Sequence, residues 1–228
     1  MTLPEAAVFD WDGTIVDTLG MIYRANVVVL RRHGIELSRD WFRDRYTPDW
    51  RKAYADLGVP ERLWDETASH WSAEMGRMRP RALPWARGGL RRLRANGVRI
   101  GLVTASTRSV VEPNLERLNL TGVFETAWYA DDVEHGKPHP EGLLRALDVL
   151  GVPAARTIYV GDTTTDLEMA TAAGAGFAAV GTTTTDAAFR SAGADRRWPG
   201  VGAWVDDLFG PPACGRTARG RPRTGGPD

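Results

Sequence analysis

The chain has almost no cysteine. Cys214 is the single one among 228 residues, which excludes an internal disulfide and a cysteine-built metal cluster. Net charge is absent as well, with 29 basic and 29 acidic residues, so no field of one sign draws nucleic acid or a membrane surface. No apolar stretch approaches the ~20 residues that a membrane span needs. The first ten residues, "MTLPEAAVFD", lack the basic start and long apolar run of a signal peptide. Lysine is scarce: Lys52 and Lys137 stand against 27 arginines. GC-rich coding produces such a bias, so the arginine excess carries no function, while each lysine is informative for having resisted the drift. A cytoplasmic protein, monomer or homodimer, is expected.

What is present is unevenly spread. Residues 211–228, "PPACGRTARGRPRTGGPD", hold eight Pro or Gly, four Arg and one Asp, which leaves residues 1–210 with 25 basic and 28 acidic side chains. Such a tail has little to bury and is expected to be a disordered basic extension. Its "RGRPR" resembles the core of an AT-hook, an arm that enters the minor groove of A·T-rich DNA. A low-complexity terminus gives the same letters and is the reading taken here, so nucleic acid is not an expected partner.

Four short, nearly continuous apolar runs read as strands buried on both faces: "AAVF" (6–9), "VRIGLV" (98–103), "TIYV" (157–160) and "GFAAV" (176–180). "AWYA" (127–130) is a weaker fifth. Helical patterns lie between them. "GGLRRLRANG" (88–97) spaces Leu90 and Leu93 three apart and stops at Asn-Gly. "PEGLLRALDVLG" (140–151) and "TDLEMATAAG" (165–174) each place a Gly past their last apolar residue, a helix stop signal. Alternating strands and helices predict an α/β fold, a Rossmann-like parallel sheet covered on both sides. Residues 16–84 differ: no strong buried strand is visible, and Trp41, Trp50, Trp64 and Trp71 fall among helical spacings such as Ile22, Val29, Leu30 and Trp50, Tyr54, Leu57. "HGIELS" and "LGVPE" read as breaks. The organisation expected is a catalytic core of 1–15 and 85–210, an inserted helical cap domain of 16–84, and the tail of 211–228.

In open α/β sheets ligands bind beyond the carboxyl ends of the strands. Those ends carry Asp10 and Asp12 in "AAVFDWDGTIVDT", Thr104 and Ser106 in "LVTAS", Lys137 in "EHGKPHPE", and Asp162 and Asp166 in "GDTTTD". Residues two apart in a strand point to one side, so Asp10 and Asp12 face one space and Trp11 turns away. Asp162 and Asp166 share a face if a helix begins there. Any one of these aspartates alone is more often a cap or turn residue; the weight lies in the joint pattern. Four carboxylates with one lysine nearby repel unless a cation joins them. Hard oxygen donors of this kind suit Mg²⁺, which also binds a substrate phosphate.

The joint pattern closely resembles the haloacid dehalogenase superfamily. "VFDWDGTIVD" is similar to its first motif, "LVTAS" to its second, "HGKPHPE" to its third and "YVGDTTTD" to its fourth. The resemblance covers residues 5 to about 209, and this family places a helical cap between the first motif and the second strand. Within it the chain looks like the phosphoglycolate phosphatase and β-phosphoglucomutase branch. The resemblance implies that Asp10 is the nucleophile and forms an aspartyl-phosphate. Mg²⁺ would be held by Asp10, Asp162 and the backbone carbonyl of Asp12. The Thr104 hydroxyl and the backbone N–H groups of Ala105 and Ser106 would hold phosphoryl oxygens beside Lys137. Asp12 would act as general acid, then base, and Asp166 would orient Lys137 or a metal-bound water. The expected substrate is a small organic phosphomonoester, a sugar phosphate or one resembling phosphoglycolate.

Asp12 separates the alternatives. A dehalogenase of this superfamily needs no acid at that position. A phosphonatase resembles the chain at "FDW" but carries a small residue in place of Asp12 and forms a Schiff base through a cap lysine, for which Lys52 is the candidate. A sugar phosphomutase is the runner-up, and a DNA-associated role through the tail is the distant alternative. Within the cap, the stretch "RDRYTPDWRK" offers Arg45 and Arg51 for a second anion, and Tyr46 and Trp50 for a sugar ring. The four histidines, His33, His70, His135 and His139, read as structural.

Overall fold

The computed structural model describes residues 3–181, 183–194 and 196–211. Strand β1 (Ala6–Phe9) leads through β2 (Val16–Asp17) into four helices, α1 (Leu19–Arg31), α2 (Arg39–Arg45), α3 (Trp50–Asp56) and α4 (Trp64–Gly76). The chain returns by β3 (Arg81–Ala82) to α5 (Ala86–Ala95), β4 (Arg99–Val103), α6 (Arg108–Arg117) and β5 (Thr126–Trp128). It closes with α7 (Glu141–Leu150), β6 (Thr157–Gly161), α8 (Thr164–Ala173), β7 (Gly176–Val180), α9 (Asp186–Ser191), β8 (Arg197–Trp198) and α10 (Val201–Phe209). The main sheet has the order β5-β4-β1-β6-β7-β8, and every pair in it is parallel.

The apolar runs explain the layers. Ala7 and Phe9 face one side of the sheet with Ile100, Leu102 and Val160, against Leu90 and Leu93 of α5, Val111 of α6 and Trp204 of α10. Ala6 and Val8 face the other side with Val103 and Tyr159, against Leu143, Leu147 and Leu150 of α7 and Met169 of α8. Both faces of β1 are dry, which is why its sequence shows no polar alternation. Fully burying a side chain such as Phe9 contributes about 1.5–3 kcal/mol.

β1 connects toward β4 and β6 connects toward β7, so the connections diverge between β1 and β6. That crevice is where a sheet of this type binds ligand.

Helices α1 to α4 form a separate apolar cluster, with Ile22, Val29, Leu30, Phe42, Tyr54 and Met75 buried and Val110 of α6 joining it. The two-residue strands β2 and β3 pair antiparallel, Val16 with Ala82 and Asp17 with Arg81, and tie the two crossings of this insert together. Strands of two residues leave no periodicity to read, so β2, β3 and β8 are absent from the sequence reading. Helix α6 escaped it because Pro113 lies inside, where proline usually argues against a helix. No helix among the described residues is long and apolar enough to cross a membrane. The expected tail lies, apart from Pro211, outside the described residues.

Candidate active site

β1 hands its direction to one further residue. The Asp10 N–H donates to the Val160 carbonyl at 2.9 Å, so Asp10 and Asp12 keep the parity of Ala6 and Val8, while Trp11 follows Phe9 into the core. The chain then folds back, with the Ile15 and Val16 N–H groups donating to the Trp11 carbonyl. Gly13 makes that turn at φ +72°, and a Cβ there would stand 1.9 Å from Asp162 Oδ2. Only a glycine satisfies both the positive φ and the close approach.

Lys137 is buried and reaches in from the loop before α7. Its Nζ donates to Asp10 Oδ1 at 2.5 Å and to Asp166 Oδ1 at 2.8 Å. The Tyr159 ring lies beneath it, 5.2 Å from Nζ to centroid. Asp166 is fixed in turn: its Oδ2 accepts from the Thr163 N–H at 3.1 Å and the Thr163 hydroxyl at 2.7 Å, a capping box at the start of α8. Gly161 leaves the space, since a Cβ there would meet the Asp166 carboxyl carbon at 2.6 Å. Asp162, at the end of β6, accepts a hydrogen bond from the Thr183 hydroxyl. One carboxylate oxygen each from Asp10, Asp162 and Asp166 lies within 4.8 Å of the others.

The residues after β4 sit opposite, with a difference from expectation. The Ser106 N–H donates to Thr104 Oγ1 at 3.0 Å rather than standing free for a phosphoryl oxygen. The Ser106 hydroxyl donates to Asp12 Oδ2 at 2.6 Å, a contact that sequence spacing gives no means of finding across 94 positions. Asp12 Oδ1 is buried without a partner.

Burial governs the charges. Desolvation raises the Asp10 carboxyl to about 7, with Lys137 pulling it down and Asp166 and Asp12 pushing it up. Asp162 is held well above its ordinary value by burial and then by Asp10 and Asp166. Burial raises Asp12 too, and its hydrogen bond from Ser106 opposes that. Burial works against the Lys137 cation, yet Asp10 and Asp166 beside it hold its pKa well above the ordinary range. One ammonium cannot neutralise this many carboxylates. The donors are all hard oxygens, and Gly13 leaves a cradle against Asp162 that any Cβ would fill. These residues fit a divalent cation such as Mg²⁺.

A cavity of about 1040 Å³ joins this cluster to the helical insert. Thr104, Ala105, Ser106 and Lys137 line it from the sheet side, and Arg45, Tyr46, Trp50 and Arg51 from the insert. Burial, then the carboxylates Asp12, Asp162, Asp10 and Asp166, push the Tyr46 phenol well above its ordinary value. Arg51 lies over the Trp50 ring at 4.4 Å, so the residues expected to bind an anion and a sugar contact each other. Lys52 is exposed and pairs with Asp56 at 3.1 Å. His135 and His139 line the cavity, and with Glu141 they bring ligand-type atoms within 4.8 Å of one another. His33 has a structural partner, Thr67 Oγ1 at 2.8 Å.

The sequence profile of the family described as haloacid dehalogenase-like hydrolase matches residues 7–180. The chain belongs to that family. The matched span holds every carboxylate of the cluster and Lys137, but stops short of Thr183. This hydrolase is 34% identical over 195 residues to "Probable phosphatase IndB" of Dickeya dadantii, an alignment covering 77% of this chain and 80% of the relative. It is 31% identical over 184 residues to a phosphoglycolate phosphatase of Yersinia pestis, covering 75% and 78%. Among solved structures it is similar to a HAD family hydrolase from Deinococcus radiodurans with bound phosphate and sodium, at TM-score 0.71 and 26% identity, covering 91% of this chain and 96% of the other.

Proposed function

We propose that this hydrolase is a Mg²⁺-dependent phosphatase of a small organic phosphomonoester, working through an aspartyl-phosphate on Asp10. The observation that carries the reading is the Lys137 ammonium held between Asp10 and Asp166, 2.5 and 2.8 Å away, beside Asp162 at the crevice of the sheet. A carboxylate attacking an anionic phosphate needs cations on both sides of the reacting oxygens. Lys137 supplies one. Bound by Asp10, Asp162 and the Asp12 carbonyl, Mg²⁺ would supply the other as a Lewis acid.

In the first step an Asp10 oxygen attacks phosphorus and the ester P–O bond breaks. The departing alkoxide takes the proton of Asp12, which burial favours in its protonated form. In the second step Asp12 removes a proton from water, water oxygen attacks phosphorus, and the Asp10–phosphorus bond breaks to release phosphate. The Ser106 hydroxyl holds Asp12 in place for both transfers. The Thr104 hydroxyl and the Ala105 N–H receive phosphoryl oxygens. Asp166 positions Lys137.

The helices of residues 16–84 are read as a cap over the core of 1–15 and 85–210, with Arg45, Tyr46, Trp50 and Arg51 facing the substrate. The relatives named as phosphatases support the class. The exposed, Asp56-paired Lys52 speaks against a phosphonatase. The experiment is phosphate release with trapping: wild type should carry mass-detectable phosphate on Asp10, and Asp10→Asn should fold yet release none. Comparable turnover by a verified Asn variant would sink the mechanism.

A further inference from the structure

We infer that the leaving group of the ester is an uncharged, ring-bearing alcohol rather than a small carboxylic acid. The inference rests on the phosphatase reading and concerns the half of the cavity beyond the phosphate.

Size is the first argument. The cavity of about 1040 Å³ matches the upper end of ligand pockets, roughly 300–1,000 Å³. A two-carbon acid would leave most of it to water. Charge is the second. Among the described residues Lys137 is the one buried cation, and Asp10 and Asp166 already hold it. The cationic side chains that the insert sends to the cavity, Arg45 and Arg51, are exposed, and Arg51 is laid on the Trp50 ring. A second carboxylate entering here would lose its water while facing Asp10, Asp12 and Asp162, with no buried cation to receive it. His135 and His139 are exposed as well.

The walls are the third argument. Trp41, Tyr46, Trp50 and Trp71 are each half-buried and line the space together with Ile22 and Leu37. Aromatic side chains lining a cavity favour the face of a ring. The Tyr46 phenol, in the same lining as Asp10 and Asp12, offers that ring a hydrogen-bond donor.

Three primary alkyl phosphates that differ only in the remote group test the inference on the wild-type, Mg²⁺-loaded protein: ethyl phosphate, phosphoglycolate and benzyl phosphate. The expected kcat/KM is at least tenfold higher for benzyl than for ethyl phosphate, with phosphoglycolate no better than ethyl. Benzylphosphonate should inhibit at least tenfold more tightly than phosphonoacetate, a comparison that needs no turnover. Trp41→Leu and Trp71→Leu should each reduce the benzyl-to-ethyl ratio. A tenfold preference for phosphoglycolate over ethyl phosphate, or tighter inhibition by phosphonoacetate, overturns the inference and leaves the phosphatase standing. If no substrate, p-nitrophenyl phosphate included, releases phosphate, the phosphatase reading fails and the inference falls with it.

Discussion

Under the proposed mechanism Asp12 carries the most demanding chemistry of any single residue, because it must hold a proton in one step and take one in the next. Its burial and its bond from Ser106 are read as serving the leaving group. A poor leaving group needs that proton and a good one does not. Asp12→Ala should therefore lose ~10²–10⁴-fold on an alkyl phosphate and far less on p-nitrophenyl phosphate, measured as kcat/KM on both. Equal losses would assign Asp12 to the metal or the fold instead. Much of this site was legible in the sequence, since each of its ionised groups ends or follows an apolar run. Thr183, Gly13 and the Ser106–Asp12 bond were not. Thr183 sits in the threonine run after β7, where no spacing distinguishes one hydroxyl from the next. Gly13 reads as an ordinary turn glycine until Asp162 is placed against it.

At the scale of the element, the turn after β1 couples backbone conformation to the site. Gly13 and Gly97 both have positive φ, +72° and +79°, but only Gly13 has a neighbour within 4 Å of its absent Cβ. The pair separates strain from collision. Gly97→Ala should cost about 1–2 kcal/mol for the left-handed conformation and leave Mg²⁺ affinity alone. Gly13→Ala should cost more in thermal stability and weaken Mg²⁺ binding, read by calorimetry. Equal Mg²⁺ affinities in the two variants would detach the turn from the metal. The elements that sequence made visible are those with enough residues to show a period. The four buried strands and helices α5, α7 and α8 lie within two residues of their readings. What was missed is short, like β2 and β8, or interrupted, like α6 with Pro113. The insert was legible as helical but not in its packing: sequence shows that Trp50 and Arg51 adjoin, not that one lies over the other.

The whole molecule feels the crowded carboxylates as a load on its stability. Asp10, at about 7 against an ordinary 3.8, binds its proton more tightly folded than unfolded, and Asp12 and Asp162 are shifted the same way. Stability from such groups is greatest at low pH and is lost as pH rises through the window from about 4 to 7. Lys137, raised above its ordinary value, contributes throughout that window and does not reverse the trend. Glu141 and Asp186 are lowered, so their contribution is present above their ordinary values of 4.5 and 3.8 and is lost as pH falls below them. Metal-free protein should therefore melt at lower temperature at pH 7 than at pH 5, and Mg²⁺ should raise the midpoint more at pH 7. Asp162→Asn should raise the metal-free midpoint at pH 7 and remove most of the Mg²⁺ increment. A metal-free midpoint that climbs steadily from pH 5 to 7 would contradict this. The place of β1 at the centre of the sheet has another consequence, in the order of synthesis. Its two partner strands begin at residues 99 and 157, and at about 5–20 residues per second the ribosome needs roughly 8–30 s to deliver the later one. The helices of the insert pack mostly on one another, over shorter sequence separations than those of β1 with its partners, and such contacts form earlier. β1 thus waits with both edges open until residues 99 and 157 have followed it, while the helices between β2 and β3 already have one another to pack against.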